Sequence, residues 1–144
     1  MATTSGIAAH LRITIARTHR RLRQEAGAGL SPTQTAALAT IERHGPLTPS
    51  ELAAHERIQR PTVARLLGRL EAEGLVDRAP DPDDGRSSLV SITDEGRRLL
   101  REVRTRKDAF LAQRMRRLDA GELATLDRAA AILERMLDEE EDGR

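Results

Sequence analysis

The stretch that decides the fold runs from Arg57 to Arg78 and has the sequence RIQRPTVARLLGRLEAEGLVDR. It predicts a helix that begins at Pro61 and ends at Gly74, because proline suits the first turn of a helix and glycine suits the left-handed position after the last turn. One side of this helix is apolar, since four aliphatic residues follow a helical spacing: Val63, Leu66, Leu67 and Leu70. That side is expected to pack against a core.

The opposite side of the same helix is cationic. Thr62, Arg65 and Arg69 share this side, Arg60 lies at its N-terminal edge, and no acidic residue interrupts the four arginines between Arg57 and Arg69. Arginine binds phosphates and donates paired hydrogen bonds to guanine, so such a helix suits the groove of a DNA duplex. By itself, the helix leaves open the alternative of a solvated charged face.

The charge of the chain is unevenly distributed. The 144 residues suffice for one domain with one core, and the formal net charge is +1. Five of the 23 acidic residues and one of the 24 basic residues lie in the tail 138–144, which leaves residues 1–137 with 18 acidic and 23 basic residues. This excess of positive charge is consistent with an anionic partner.

Several classes of protein are disfavoured by residues that are scarce or absent. Cysteine is absent, which excludes disulfides and thiol redox sensing and fits a reducing cytoplasm. No apolar run reaches the length of a membrane span and no signal peptide begins the chain, so we expect a cytoplasmic protein with no membrane partner. Phe110 is the only aromatic residue among Phe, Trp and Tyr, which disfavours single-strand and RNA binding by base stacking.

Capping residues mark the beginnings of further helices. The segments SPTQ at 31–34 and TPSE at 48–51 match the capping box, with proline at the first helical position. Thr93 is an N-cap followed by two carboxylates that suit the positive end of a helix dipole, and Asp119 begins the last helix. The sequence thus predicts helices over about 7–26, 32–44, 49–56, 61–73, 94–118 and 120–138.

Between Gly74 and Thr93 the periodicity is no longer helical. Residues 75–78 and 88–92 predict two short strands, and the turn-forming residues of 80–86 join them as a β-hairpin with a charged tip. A helix–turn–helix followed by such a hairpin is a winged helix, whose second helix enters the major groove. The predicted class is therefore mainly α with a small β-hairpin wing.

Arg86 lies at the tip of the predicted wing, where the minor groove attracts arginine. Asp84 is two residues away and is predicted to hold the Arg86 guanidinium by a charge-assisted hydrogen bond, with ordinary turn chemistry as the alternative. The predicted DNA contacts come from the second helix, the turn before it and the hairpin: Arg57, Gln59, Arg60, Pro61, Thr62, Arg65, Arg69, Arg78, Asp84 and Arg86.

The first helix and the last two helices carry apolar stripes that a small winged-helix core cannot cover. A second copy of the chain is the simplest partner, and twofold symmetry would place two recognition helices roughly 34 Å apart on a pseudo-palindrome. We therefore predict a single domain over 1–144 in which a winged helix–turn–helix lobe at about 31–92 is flanked by dimerisation helices at about 7–26 and 94–138, with an acidic tail at 138–144.

At this point the chain resembles the MarR family of bacterial transcriptional regulators. The resemblance rests on five segments: LSPTQ at 30–34, LTPSELA at 47–53, PTVARLLGRLE at 61–71, GLVDR at 74–78 and DPDDGR at 81–86. It implies a homodimer that binds pseudo-palindromic double-stranded DNA as a repressor and releases it when a small anionic or aromatic ligand binds between the dimerisation helices and the winged-helix lobe. Candidates for that cleft, each with a solvated helix position as the alternative, are His10, Arg17 and His44.

Other functions have less support in the sequence. No nucleophile–base pair, phosphate-binding loop or metal-ligand cluster occurs at a usable spacing, so we expect no enzyme activity, cofactor or metal site. One alternative stays open: a helical dimer that has kept the winged-helix fold as a protein–protein interaction module. Sequence-specific binding of duplex DNA at physiological salt distinguishes the two.

Overall fold

The computed structural model describes residues 1–27 and 29–138. Within them the chain forms helices and one two-stranded sheet in the order α1 (Thr4–Ala26), α2 (Pro32–His44), α3 (Pro49–Glu56), α4 (Arg60–Ala72), β1 (Val76–Pro80), β2 (Ser88–Ile92), α5 (Asp94–Met115) and α6 (Ala120–Asp138). The mainly α class with a β-hairpin is confirmed. Beyond Asp138, the predicted acidic tail lies outside the described residues.

The chain divides into two compact units, residues 1–107 and residues from 108 onward. The boundary falls within α5, which contributes its first part to one unit and its last turns to the other. The predicted single-domain organisation stays a prediction. No helix of the described residues is both long and apolar enough to span a bilayer.

Side-chain caps fix where α2 and α3 begin. Ser31 Oγ accepts from the Gln34 backbone N–H at 3.1 Å, and the Ser31 N–H donates to Gln34 Oε1 at 2.8 Å, which confirms the first capping box. At α3 only half of the predicted box forms. Thr48 Oγ1 accepts from the Glu51 N–H at 3.1 Å, but the Glu51 carboxylate accepts from the Thr48 hydroxyl at 3.0 Å instead of the backbone N–H. The Thr48 hydroxyl can donate its own proton, so it competes with the Thr48 backbone N–H for the Glu51 carboxylate.

The core of the first unit lies between α2, α3, α4, the hairpin and the first part of α5. The apolar stripe predicted for α4 is confirmed, since its members are buried: Val63, Leu66, Leu67 and Leu70. The helix begins at Arg60, one residue earlier than predicted, and Gly74 follows it with φ of +74°. The buried stripe fixes the rotation of α4 about its axis, and thereby which of its side chains face outward.

The hairpin is held to the α2–α3 loop through β2. β1 and β2 pair antiparallel from Val76 opposite Ile92 to Pro80 opposite Ser88. Val90 also exchanges backbone hydrogen bonds with Leu47 in the α2–α3 loop, at 2.7 and 3.0 Å. β1 begins and ends later than the predicted 75–78.

The first part of α5 is tied to α1 and α2 by two arginines. Arg106 Nη1 donates to the carbonyl oxygen of Ala26 at the end of α1, at 3.0 Å, and Arg104 forms a 2.9 Å ion pair with Glu42 of α2. α5 ends at Met115 rather than at the predicted Leu118. Only Ala26 of α1 is buried, and α6 has no buried residue.

Candidate nucleic-acid interface

A strained residue makes the turn between α3 and α4. Arg57 has φ of +53° and is the one residue other than glycine with positive φ in the described part of the chain. This conformation ends α3, and the Ile58 N–H then returns to the Ala53 carbonyl at 3.2 Å. Ile58 packs partly against the core, whereas Arg57, Gln59 and Arg60 are exposed. The turn therefore presents three polar side chains beside the first turn of α4.

The outer face of α4 is cationic and unpaired. Arg60, Arg65 and Arg69 are exposed, and their guanidinium groups make no ion pair or hydrogen bond with any described residue. Thr62 is half-buried and Pro61 is exposed on the same helix. Because the opposite face is buried, these side chains face away from the core. Their outward placement agrees with the sequence analysis, while their contacts to DNA remain a prediction.

Arg78 differs from the other predicted contacts because it already has a partner. Its Nε donates to a carboxylate oxygen of Glu71 at 2.9 Å, which joins β1 to α4. Both side chains are partly exposed, so the pair contributes little to stability, about 0–1 kcal/mol. A DNA contact by Arg78 would require this side chain to be shared with Glu71 or released from it.

The tip of the wing is built by carboxylates that bind backbone N–H groups. Asp84 Oδ1 accepts from the Arg86 N–H at 3.1 Å, and Asp81 Oδ1 accepts from the Asp83 N–H at 2.9 Å. The prediction that Asp84 holds the Arg86 guanidinium is therefore wrong. An aspartate in a turn lies closest to the backbone two residues on, so its carboxylate binds that N–H first. The Arg86 side chain is exposed and has no partner among the described residues.

A separate cavity of about 290 Å³ lies between α1, α2 and the first part of α5. Its polar lining is basic, with the cations Arg23 from α1 and Arg104 and Lys107 from α5 beside the imidazole of His19, and no described acidic residue lines it. The rest of the lining is Thr35 and small or aliphatic residues: Ala26, Leu30, Pro32, Ala36, Ala39, Leu100 and Val103.

The residues predicted for a ligand cleft do not line this cavity. His10 and Arg17 are absent from its lining, and His44 stacks on His55 at the ends of α2 and α3, with ring centroids 4.2 Å apart. Sequence analysis missed His19 and Arg23. Their spacing of four residues in the last turns of α1, just before the loop to α2, was the available signal, since it places both on one side of the helix.

The ion pair whose pKa values are clearly shifted lies outside the α4 face and the cavity, in the first turn of α5. Arg98 donates to both carboxylate oxygens of Glu95, at 2.6 and 3.0 Å, and this bonding lowers the pKa of the exposed Glu95 carboxyl. The pair neutralises an acidic helix start that is not part of the α4 face. No cluster of three or more potential metal ligands occurs in the described ranges.

Known proteins match this arrangement of helix–turn–helix and wing. A family model described as the MarR family matches residues 28–87. An HTH-type transcriptional regulator of Mycobacterium tuberculosis is 35% identical over 134 residues, covering 92% of this chain and 94% of that protein. The multiple antibiotic resistance protein MarR of Salmonella typhimurium is 32% identical over 99 residues, covering 68% of this chain and 69% of that protein. The chain belongs to the MarR family.

Solved structures agree with this assignment. A transcriptional regulator from Pseudomonas aeruginosa is similar to this MarR-family chain with a TM-score of 0.82 and 38% identity, over 94% of this chain and 97% of that one. A mutant MarR from E. coli has a TM-score of 0.76 and 26% identity, over 90% and 95% of the two chains. The winged helix–turn–helix fold is thereby confirmed, and the protein is a DNA-binding transcriptional regulator of the MarR family.

Proposed function

We propose that this MarR-family protein is a homodimeric repressor that binds pseudo-palindromic duplex DNA and is released by a small anionic ligand. The observation that carries the proposal is the outer face of α4. It presents arginines that have no partner among the described residues, on a helix whose opposite face is buried. A rigid cationic helix of this kind fits the major groove, which is about 12 Å wide.

The wing extends the cationic surface to a second groove. Arg86 is exposed at a tip whose backbone is ordered by the Asp81 and Asp84 carboxylates. Because Asp81 and Asp84 bind backbone N–H groups, neither carboxylate forms an ion pair with the Arg86 guanidinium. Arginine at such a tip suits the negative potential of a narrow minor groove.

Exposed apolar side chains support a dimer. On α1, Ile7, Leu11 and Ile15 recur every four residues and are 48%, 37% and 49% exposed. On α6, five large apolar residues are between 41% and 70% exposed: Leu123, Leu126, Ile132, Met136 and Leu137. Apolar surface of this extent is unfavourable in water, and covering it with a second copy removes that cost. A twofold axis would also explain recognition of a palindrome.

The cavity beside α1 supports an anionic effector. Three cationic side chains and His19 surround aliphatic walls, and Arg104 reaches both the cavity and Glu42. An anion in the cavity would be attracted to Arg104 and would compete with Glu42 for it, which would disturb the connection between α5 and α2. The ligand lowers DNA affinity only if it binds the DNA-free conformation of the protein more tightly than the DNA-bound conformation.

The decisive experiment is selection of bound sequences from a random duplex pool. We expect a twofold-symmetric motif whose half-sites are about 10 base pairs apart, because two α4 helices related by symmetry contact successive major grooves. An asymmetric motif would contradict the dimeric arrangement. Failure to enrich any sequence would contradict DNA recognition and favour the alternative, a protein–protein interaction module with this fold.

The effector is tested with matched charged and neutral probes. We expect octanoate and benzoate to raise the melting temperature and weaken binding to the selected duplex, whereas octanamide and benzamide do neither. Arg23→Gln should reduce the response to the carboxylates. Equal responses to acids and amides would contradict an anion site, although they would leave the DNA-binding proposal intact.

A further inference from the structure

A groove of about 600 Å³ lies between the N-terminus of α2 and the outer face of α4. It belongs to neither the helix–turn–helix turn nor the wing, and it is separate in its lining from the cavity beside α1. Its polar lining consists of donors or hydroxyls, with no acidic residue among the described side chains that line it: Ser31, Thr33, Gln34, Thr62, Arg65 and Arg69. Such a lining is suited to an anion.

The first specific feature of the groove is a buried amide with a free donor. Gln34 is only 6% exposed, and its Oε1 is used by the Ser31 N–H in the capping box. Its Nε2 has no acceptor in the described part of the chain. No side-chain nitrogen or oxygen of the described residues is fully enclosed without a partner, so this nitrogen is accessible at the surface, and Gln34 is one of the residues that line the groove. The Nε2 donor is therefore available to an acceptor that enters the groove.

The second feature is the beginning of α2, a helix of 13 residues. The N–H of Gln34 binds Ser31 Oγ and the N–H of Thr35 binds the Ser31 carbonyl, at 3.1 and 3.0 Å. Pro32 has no N–H, which leaves the Thr33 N–H as the unpaired donor of this turn among the described hydrogen bonds. The positive end of the helix dipole adds to the attraction for an anion.

The third feature is the charge across the groove. Arg65 and Arg69 are one helical turn apart on α4, both line the groove, and neither has an anionic partner among the described residues. Two guanidinium groups, an amide donor and a helix N-terminus therefore surround one space that no carboxylate of the described chain neutralises. A phosphate diester, with one negative charge and two free oxygens, supplies the missing acceptors.

We infer that this groove holds a phosphate of the DNA backbone, so that Arg65 and Arg69 position the protein on the duplex instead of reading base edges. Gln34 and the start of α2 bind the same phosphate from the other side. Base readout is then left to the turn and the first residues of α4, from Arg57 to Thr62. The inference rests on the proposed duplex binding and divides the residues of that interface by role.

The test uses Gln34→Glu, because glutamate keeps the capping box. Its carboxylate accepts from the Ser31 N–H, but it replaces the amide donor of the groove with a negative charge. We expect an unchanged melting temperature and about tenfold weaker binding to every duplex, as expected for loss of one charge-assisted hydrogen bond. Unweakened binding by this variant would overturn the inference.

Arg65→Gln and Arg69→Gln provide the second arm. Each should lower affinity by a similar factor for the selected operator and for its single-base-pair variants. The magnitude of the slope of log K against log salt concentration should fall by about 0.9 for each groove that engages DNA. Arg101→Gln is the matched control, because it removes the same charge from an exposed position on α5 that does not line the groove. Its slope should stay within error of the parent.

Two results separate failure of the inference from failure of the proposed function. If Arg65→Gln or Arg69→Gln relaxed preference at particular base pairs and left the salt slope unchanged, these arginines would be base readers, and only the inference would fall. If the parent protein bound no duplex at low salt, the proposed function would fall, and the inference with it.

Discussion

Gly96 shows how one missing side chain positions the wing against α5. A Cβ at this position would overlap the carbonyl oxygen of Leu75 and lie 2.7 Å from a side-chain atom of Ile92. Thr93 braces the same junction, since its hydroxyl donates to the Gly74 carbonyl at 2.6 Å and accepts from the Gly96 N–H at 3.1 Å. The start of α5 therefore contacts backbone, which has little room to move.

We expect Gly96→Ala to destabilise the protein by about 2 kcal/mol, because the new methyl group overpacks a rigid contact. Gly68→Ala is the matched control. It also lies in a helix, but a Cβ there would meet nothing within 4 Å, so alanine should stabilise by about 0.5–1 kcal/mol. Urea denaturation measures both, and shifts of the same sign would contradict this account.

Arg86 and Asp84 have separable roles in the wing. We expect Arg86→Ala to weaken operator binding by about ten- to a hundredfold through loss of a groove contact. Asp84→Asn keeps an oxygen that accepts from the Arg86 N–H and removes a negative charge, so affinity should be unchanged or slightly higher. Fluorescence anisotropy at fixed salt measures both. A loss with Asp84→Asn equal to that with Arg86→Ala would restore the original guanidinium assignment.

The wrong assignment of Asp84 illustrates a limit of sequence reasoning at single residues. The sequence places Asp84 and Arg86 two residues apart, which allows either a backbone or a side-chain partner. Which donor binds depends on φ and ψ in the turn, and these are not visible in residue types alone. The same limit explains Glu51, whose carboxylate binds the Thr48 hydroxyl rather than the predicted backbone N–H.

Whole elements were more predictable than single contacts, because several local signals agree at their ends. At α2, proline, serine and glutamine all mark the start, and the observed helix is Pro32–His44. At α4, periodicity and Gly74 together predicted the helix to within a residue or two of its observed bounds. The C-terminus of α5 was predicted too late, because no capping residue marks it and the apolar spacing in the sequence continues beyond Met115.

The turn between α3 and α4 combines strain with charge at Arg57. We expect Arg57→Gly to stabilise the protein by about 0.5–1 kcal/mol, since glycine adopts positive φ without steric cost but adds entropy to the unfolded chain. The same substitution should weaken DNA binding, because a cation is lost beside α4. Arg57→Lys is the control, which keeps both the charge and the strain. Thermal melts and anisotropy measure the two effects, and a destabilised Arg57→Gly would contradict the role of strain.

At the scale of the whole molecule, exposed apolar helices give the clearest prediction. Leu126→Glu should shift the protein toward monomer and weaken operator binding together, because it places a charge within the apolar stripe of α6. Arg128→Glu changes charge on the same helix outside that stripe and should leave the dimer intact. Sedimentation velocity at micromolar concentration measures the association. A parent protein that is monomeric there would contradict the proposal.

The cavity beside α1 was the part of the molecule least predictable from sequence. α4 has a buried stripe that fixes which residues face outward, whereas α1 buries only Ala26. Its apolar pattern therefore does not reveal which polar residues turn toward α2 and α5. His10 and Arg17 were proposed from their positions along the helix, but the lining comes from His19 and Arg23, which follow Arg17 along α1.

Leu47 and Val90 exchange backbone hydrogen bonds, and these bonds attach the wing to the loop between α2 and α3. Together with the Thr93 and Gly96 junction, it gives the hairpin fixed attachments at its base. The distance between α4 and the wing that carries Arg86 is therefore set within a single chain. In the proposed dimer, the width of each half-site is then set within one copy of the chain, and a longer or shorter operator requires the two copies to move relative to each other.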